Sequence, residues 1–252
     1  MKLAGALVLV LLAAPCGAAG AAKSAVVFPS GPSIPENLLR IEIDFGAPLG
    51  HILDVERIKL LDGAGSEIGE AFLDLPLPDR EMRRFTLLLH PGRVKSGVGA
   101  NLALGRALRA GEKVTLVITD PALTQPLRKT WQVEAFDADS PRPQRWIFTA
   151  PAYYSRDPLV VRFDGALSST ARSLIAIRGP DGERIPGAAH LEAGETAWRF
   201  VPAQPWRAGA YALVTHPQLE DPAGNRPCAP FELARGSRVR CEEESVMPFV
   251  VR

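Results

Sequence analysis

Lysine and asparagine are scarce in this 252-residue chain: only six of its 29 basic residues are Lys, and Asn occurs only at positions 37, 101 and 225. With no Asn-x-Ser/Thr sequon and abundant Ala and Arg, the bias is that of a GC-rich bacterial genome. Cysteine is limited to Cys16, Cys228 and Cys241, and the four His stand at unrelated positions, so no zinc-type ligand spacing exists. A dominant charge sign is also missing, with 29 basic against 28 acidic residues. Polyanion binders concentrate Lys and Arg, so a nucleic-acid partner is not expected. The hydrolase signatures G-x-S-x-G, S-x-x-K and H-E-x-x-H are absent. Gly63, Gly65 and Gly69 are spaced one residue too widely for a dinucleotide loop and open no helix. These absences lead to the expectation of a non-enzymatic protein with no cofactor and no metal.

Long apolar runs are confined to the N-terminus. Met1 and Lys2 precede an apolar run from Leu3 to Ala14 and small residues through Ala22, the three regions of a secretory signal peptide spanning residues 1–22. Cys16 follows Ala13, Ala14 and Pro15, a poor context for lipoprotein cleavage. No later segment reaches the roughly 18 uninterrupted apolar residues of a membrane-crossing helix. The expected locale is therefore secreted or periplasmic. Export leaves Cys228 and Cys241 in a compartment where disulfides persist. A bond between them closes a short loop and stabilises by about 3 kcal/mol on the chain-entropy account; two free thiols are the alternative.

Beyond the leader, the chain says nearly the same thing twice. Ile41, Ile43, Phe45 and Leu49 return as Leu159, Val161, Phe163 and Leu167, a constant offset of 118. Arg40, Glu42 and Asp44 interleave with Leu39, Ile41, Ile43 and Phe45, the period-two pattern of a half-buried strand. Val55 and Ile58 answer Leu174 and Ile177, and each segment runs into Asp-Gly, at 62–63 and 181–182, a hairpin signal. Phe85 and Leu87 answer Trp198 and Phe200; Ala110-Gly111 answers Ala208-Gly209; Phe136 is matched with Phe231. Six or seven short strands per copy predict an all-β chain of two sandwiches, residues 26–136 and 145–252. Residues 137–144, with Asp137, Asp139, Pro141 and Pro143, read as a stiff, solvated linker without the regular acidic spacing of a calcium loop.

The early Phe45-Gly-Ala-Pro-Leu49 and Phe163-Asp-Gly-Ala-Leu167, the Ala-Gly opening a late strand, and the turn Leu219-Glu-Asp-Pro-Ala-Gly-Asn225 resemble bacterial immunoglobulin-like domains of the S-layer type, found in tandem in secreted proteins. Asp221, Gly224 and Asn225 match the Asp-x-x-Gly-Asn that such domains often carry before their final strand. Copy one departs from this, since Asp120-Pro-Ala-Leu123 is followed by Thr-Gln-Pro. The resemblance covers roughly 200 residues and implies a fold, not a chemistry.

Most candidate site residues have a structural explanation in the repeat. Trp198 aligns with Phe85 and is expected in the core; Trp146 is expected to pack near the domain boundary; Trp206, in a turn, is the better exposed aromatic, with Tyr153-Tyr154 a second spot for a glycan. What one copy has beyond the other is more informative. Between Leu87 and Ala110 the offset falls from 113 to 98, leaving copy one about 15 residues longer there. This insertion brings Arg93, Lys95, Arg106 and Arg109, a basic loop suited to an acidic partner or surface polymer. Alternatively, Leu102, Leu104 and Leu108 line a short helix that plugs the sandwich, with the arginines solvated.

The expectation is thus an exported envelope scaffold, spacer or binding module of two immunoglobulin-like domains. An enzyme or enzyme accessory with its site at the interdomain cleft, and a glycan or peptide binder, are the alternatives.

Overall fold

The computed structural model describes residues 24–95, 99–232 and 242–252. The leader and Cys241 lie outside the described residues. Strands β1 (Val26–Phe28), β3 (Arg40–Asp44), β6 (Arg84–Leu88) and β5 (Leu77–Pro78) form one sheet in that order. Strands β2 (Ser33–Pro35), β8 (Leu127–Glu134), β7 (Lys113–Ile118) and β4 (Ile58–Leu61) form the facing sheet. The opening segment thus divides between both sheets, β1 antiparallel to β3 and β2 parallel to β8. In the second copy, β9 (Leu159–Arg162), β12 (Ala197–Pro202) and β11 (Gly187–Leu191) face β10 (Ile175–Arg178), β13 (Gly209–Thr215) and β14 (Ser245–Val251). Two sheets packed face to face, antiparallel except for the β2–β8 pair, and made twice, give an all-β, immunoglobulin-like chain.

The buried apolar side chains fall into two clusters, one from Val27 to Val133 and one from Trp146 to Val251. The repeated landmarks supply both: Ile41, Ile43, Phe85 and Leu87 in the first; Leu159, Val161, Trp198 and Phe200 in the second. Each such side chain contributes roughly 1.5–3 kcal/mol on burial. Trp198 stacks on Phe200 with ring centroids 5.4 Å apart. Both Asp-Gly segments turn back, at Leu61↔Glu67 and Arg178↔Arg184. In copy one the positive φ falls on Gly65 rather than Gly63, because the Asp62 carboxylate accepts from Ala64 N and Ser66 N and widens the turn.

Three sequence expectations need correction. Phe136 and Phe231 are not equivalents: Phe136 follows the final strand of copy one, whereas the final strand of copy two starts only at Ser245. Residues 216–244 separate β13 from β14 in sequence, against 119–126 between β7 and β8, so the connection in copy two is the longer by 21 residues. Phe163 is half-buried against Trp146, ring centroids 4.5 Å apart, whereas its counterpart Phe45 is fully buried. Finally, the insertion forms α1 (Pro91–Val94) and α2 (Gly99–Leu104), but only part of it plugs the sandwich. Val94, Ala107 and Leu108 enter the core, while Leu102 is 79% exposed and Leu104 is exposed as well.

The two phenylalanines of the repeat are therefore unequal. Phe45→Ala, at a fully buried site, is expected to cost about 3–5 kcal/mol, and Phe163→Ala roughly half of that or less. Urea unfolding at equilibrium measures both, and a larger loss for Phe163→Ala contradicts the packing described.

Candidate functional site at the domain junction

The polar alternation of β3 carries the junction. Ile41 and Ile43 enter the first core, so Arg40, Glu42 and Asp44 share the opposite face. That face is not solvated as the sequence suggests, because Glu42 is buried. The second domain covers it: Ser169 Oγ donates to Glu42, and Arg40 donates to Glu220 and, at 3.2 Å, to Ser168 Oγ. Arg84 adds its guanidinium, 3.8 Å from Glu42 and 3.3 Å from Asp44.

A second contact links Ser30, between β1 and β2, to the turn before β12. Ser30 N donates to Glu195 Oε2 at 2.8 Å and Ser30 Oγ donates to Oε1 at 2.5 Å. The same hydroxyl accepts from Gly194 N at 2.8 Å. Glu195 is 1% exposed and holds a positive φ of 52°. Burial raises its carboxyl above the usual range, although the Ser30 bonds and the Lys129 charge oppose the shift. A left-handed non-glycine residue with a buried carboxylate is tolerated where the surroundings determine it, and the Ser30 fork does so here.

The third contact explains the turn that sets copy two apart. Asp221 Oδ1 accepts from Asn225 N at 2.9 Å and Oδ2 accepts from Asn225 Nδ2 at 2.9 Å, closing the turn. Asn225 Nδ2 also donates to Asp137 O, which accepts from Asn37 Nδ2 at 2.8 Å; Asp137 N donates to Asn37 Oδ1 at 2.9 Å. Two of the chain's three asparagines thus hold one residue of the linker, Asp137. The linker start is pinned between the domains and is not the solvated hinge its composition suggests. Gly224, at φ 81°, lies under Leu39: a Cβ there meets Leu39 Cδ1 at 2.2 Å. In copy one the equivalent Asp120 instead shares a 2.8 Å hydrogen bond with His51 Nε2 within its own domain.

Between these contacts lies a cleft of about 490 Å³, lined by residues that include Glu134, Asp137, Asp139, Arg142, Asp164 and Asp221. Burial pushes Asp221 up to about 7, with the Asp137 charge adding and the Asn225 bonds opposing. A carboxyl near neutrality is suited to proton transfer, yet both Asp221 oxygens are taken by Asn225. Asp164 likewise accepts from Arg142 N and Trp146 Nε1. No group of three or more His, Cys, Asp or Glu among the described residues is arranged to hold a metal ion.

The residues singled out from the sequence do not gather here. Trp206 is 2% exposed, not the exposed aromatic expected from its turn: its ring packs on Phe200 and Tyr211, and Nε1 donates to Asp157 O at 2.8 Å. Tyr153 and Tyr154 are exposed at 56% and 76%, their ring centroids 5.9 Å apart. Arg93 is buried, with Nη1 donating to Gly69 O. Arg106 donates to Val94 O, pairs with Glu36 and lies over the Phe136 ring. Lys95 lies over the Phe231 ring, so it meets the second domain. Arg109 is exposed, 4.0 Å from Glu112. Cys228 is described and Cys241 is not. Ser30, Glu42 and Glu195 were not singled out; Gly194 beside a lone acid is too common a pairing to mark a buried contact.

No protein-family model and no curated protein matches the sequence. Solved structures similar to it include a chimeric titin Z1Z2 functionalized with an exogenous decorin peptide, at 12% identity over 78% of this chain and 91% of that one, TM-score 0.27. Titin Ig tandem domains follow at 11% identity over 87% and 88%, TM-score 0.24. An I-band fragment of titin is 10% identical over 92% of this chain and 60% of that one, TM-score 0.24. Likeness at such scores carries no argument about this chain, whose strand pairing speaks for itself.

Two predictions follow from the Asp221 turn. Gly224→Ala is expected to lower stability by roughly 1–3 kcal/mol through a positive φ and the clash with Leu39; a change within about 0.5 kcal/mol in denaturant melts contradicts the packing. Because the folded state raises the Asp221 pKa, its protonated form favours folding, and that stability is lost as pH rises from about 4 to about 7, by on the order of 1 kcal/mol per unit at the steepest. Asp221→Asn removes this slope; identical pH–stability profiles for the variant and the parent contradict the assignment.

Proposed function

We propose that this protein is a non-enzymatic exported scaffold or binding module of the bacterial envelope, built from two S-layer-like immunoglobulin domains that act as one unit. The observation that carries the reading is the junction: Ser30 with Glu195, Arg40 with Glu220, and Asn37 and Asn225 on the Asp137 peptide. Side chains that a catalytic site would leave available are spent there on holding the domains together. The apolar leader agrees with export, and Cys228 is proposed to pair with Cys241 in the oxidising compartment to which export leads. No helix among the described residues is long and apolar enough to cross a membrane.

One observation favours a narrower version. Tyr153 and Tyr154 stand exposed side by side, and Tyr154 holds a positive φ of 59°, anchored where its N–H donates to Trp206 O. Paired exposed aromatic rings suit stacking on a sugar or a peptide, so a glycan or peptide contact fits this end of the second domain.

Pull-down of the purified mature protein against envelope fractions tests the proposal. Retention of an envelope component by the parent, and its loss in a Tyr153→Ala/Tyr154→Ala variant of unchanged melting temperature, is expected from the binding version; retention by both fits the scaffold. Absence of any envelope component from both samples contradicts the proposal. Mass spectrometry of the unreduced protein is expected to show no alkylatable thiol after leader removal; two alkylated cysteines contradict the Cys228–Cys241 bond.

A further inference from the structure

The insertion of the first domain encloses a separate cavity of about 390 Å³, between the Asp62 turn and the segment that follows α2. Its walls carry Arg93, Arg106, Arg109 and Lys113 against only two carboxylates, Asp62 and Glu112. Arg93 is the innermost cation, 8% exposed, and its Nη1 donates to Gly69 O at 2.7 Å. Its Nε is buried with no hydrogen-bond partner. A buried donor on a charged group is expensive to leave unmatched, and neither carboxylate of the cavity matches it. Asp62 Oδ1 is engaged by Ala64 N and Ser66 N in its own turn. Glu112 lies 4.0 Å from Arg109, both substantially exposed, a pairing of little strength.

The other cations are graded by exposure. Arg106 is held by Val94 O, Glu36 and the Phe136 ring, so it adds positive charge from a fixed position. Arg109 and Lys113 are exposed at the rim. The second domain has no counterpart, since β12 passes to β13 through residues 203–208 alone.

We propose that this cavity binds a phosphate group borne on a sugar-sized molecule, with the Arg93 guanidinium as its innermost cation and Arg109 and Lys113 closing on the outer oxygens. Phosphate is the group that fits. It offers several acceptor oxygens to donors arriving from different directions, and its charge offsets the excess of cations. The cavity is larger than phosphate alone and within the range of small-molecule sites, which leaves room for a sugar. A free sugar phosphate and a phosphodiester unit of an envelope polymer present the same chemistry. Only the second source rests on the envelope reading above; the cavity itself does not.

Isothermal titration of the purified mature protein with inorganic phosphate, glucose-6-phosphate, glucose and poly(glycerol phosphate) tests the site without any envelope material. Glucose-6-phosphate is expected to bind with a dissociation constant of about 1 mM or tighter, to weaken with added salt, and to outcompete glucose. Arg109→Ala with Lys113→Ala is expected to weaken binding about tenfold or more at an unchanged melting temperature. Arg93→Lys, which keeps the charge and removes the planar guanidinium, is expected to do the same; if it fails to fold, the rim variant decides. Tighter binding of the polymer identifies a polymer source and tighter binding of the monoester a free sugar phosphate, and both uphold the site. Absence of heat from every phosphate compound up to ~10 mM, or equal binding by parent and rim variant, overturns it.

Discussion

The Asp137 peptide, held by Asn37 from the first domain and Asn225 from the second, is the contact on which the arrangement of this molecule depends. Two sandwiches joined by a short polar segment ordinarily move against one another unless a sizeable interface opposes it. Here the segment that would act as the hinge has its carbonyl bound from both domains and its N–H bound by the first. That in turn requires the turn at Asp221 to have its present shape, which requires glycine at 224 beneath Leu39. The carboxylate of Asp221 is buried to make the turn and its pKa rises accordingly. The perturbed acid is therefore a consequence of docking the domains, and its two oxygens are occupied by the residue that does the docking.

The same logic applies to Glu195. Its burial is unfavourable alone, and the two Ser30 donors offset that cost only while the domains touch. Breaking the junction would remove from Glu195 and Glu42 their partners in the other domain, Ser30 and Ser169.

The cores were legible in the sequence because their residues repeat. Ile41 with Leu159 and Phe85 with Trp198 are set by period-two alternation, a local property that burial then follows. The junction was not legible, for a physical reason: Arg40, Glu42 and Asp44 present the alternation of a solvated strand face, and nothing within the strand distinguishes water from a second domain as what they meet. Trp206 failed for a related reason, since a turn position says nothing of the Phe200 and Tyr211 rings that close over it. The asymmetry between copies was the better guide. The Gly-Asn turn of copy two is the docking element, and the insertion of copy one builds the cationic cavity. The pairing of Leu102 and Leu104 with Leu108 on one buried face was the misleading part of that insertion, because α2 ends at Leu104: Leu108 enters the core from the segment that follows, and the other two stay outside.

A distance distribution between spin labels placed at exposed Thr130 in the first domain and exposed Val201 in the second tests the fixed junction most directly. A single narrow distribution in the parent, broadening on Asn225→Ala and on Glu195→Ala, is the result expected. A distribution already broad in the parent, or one that stays narrow in both variants, contradicts the account.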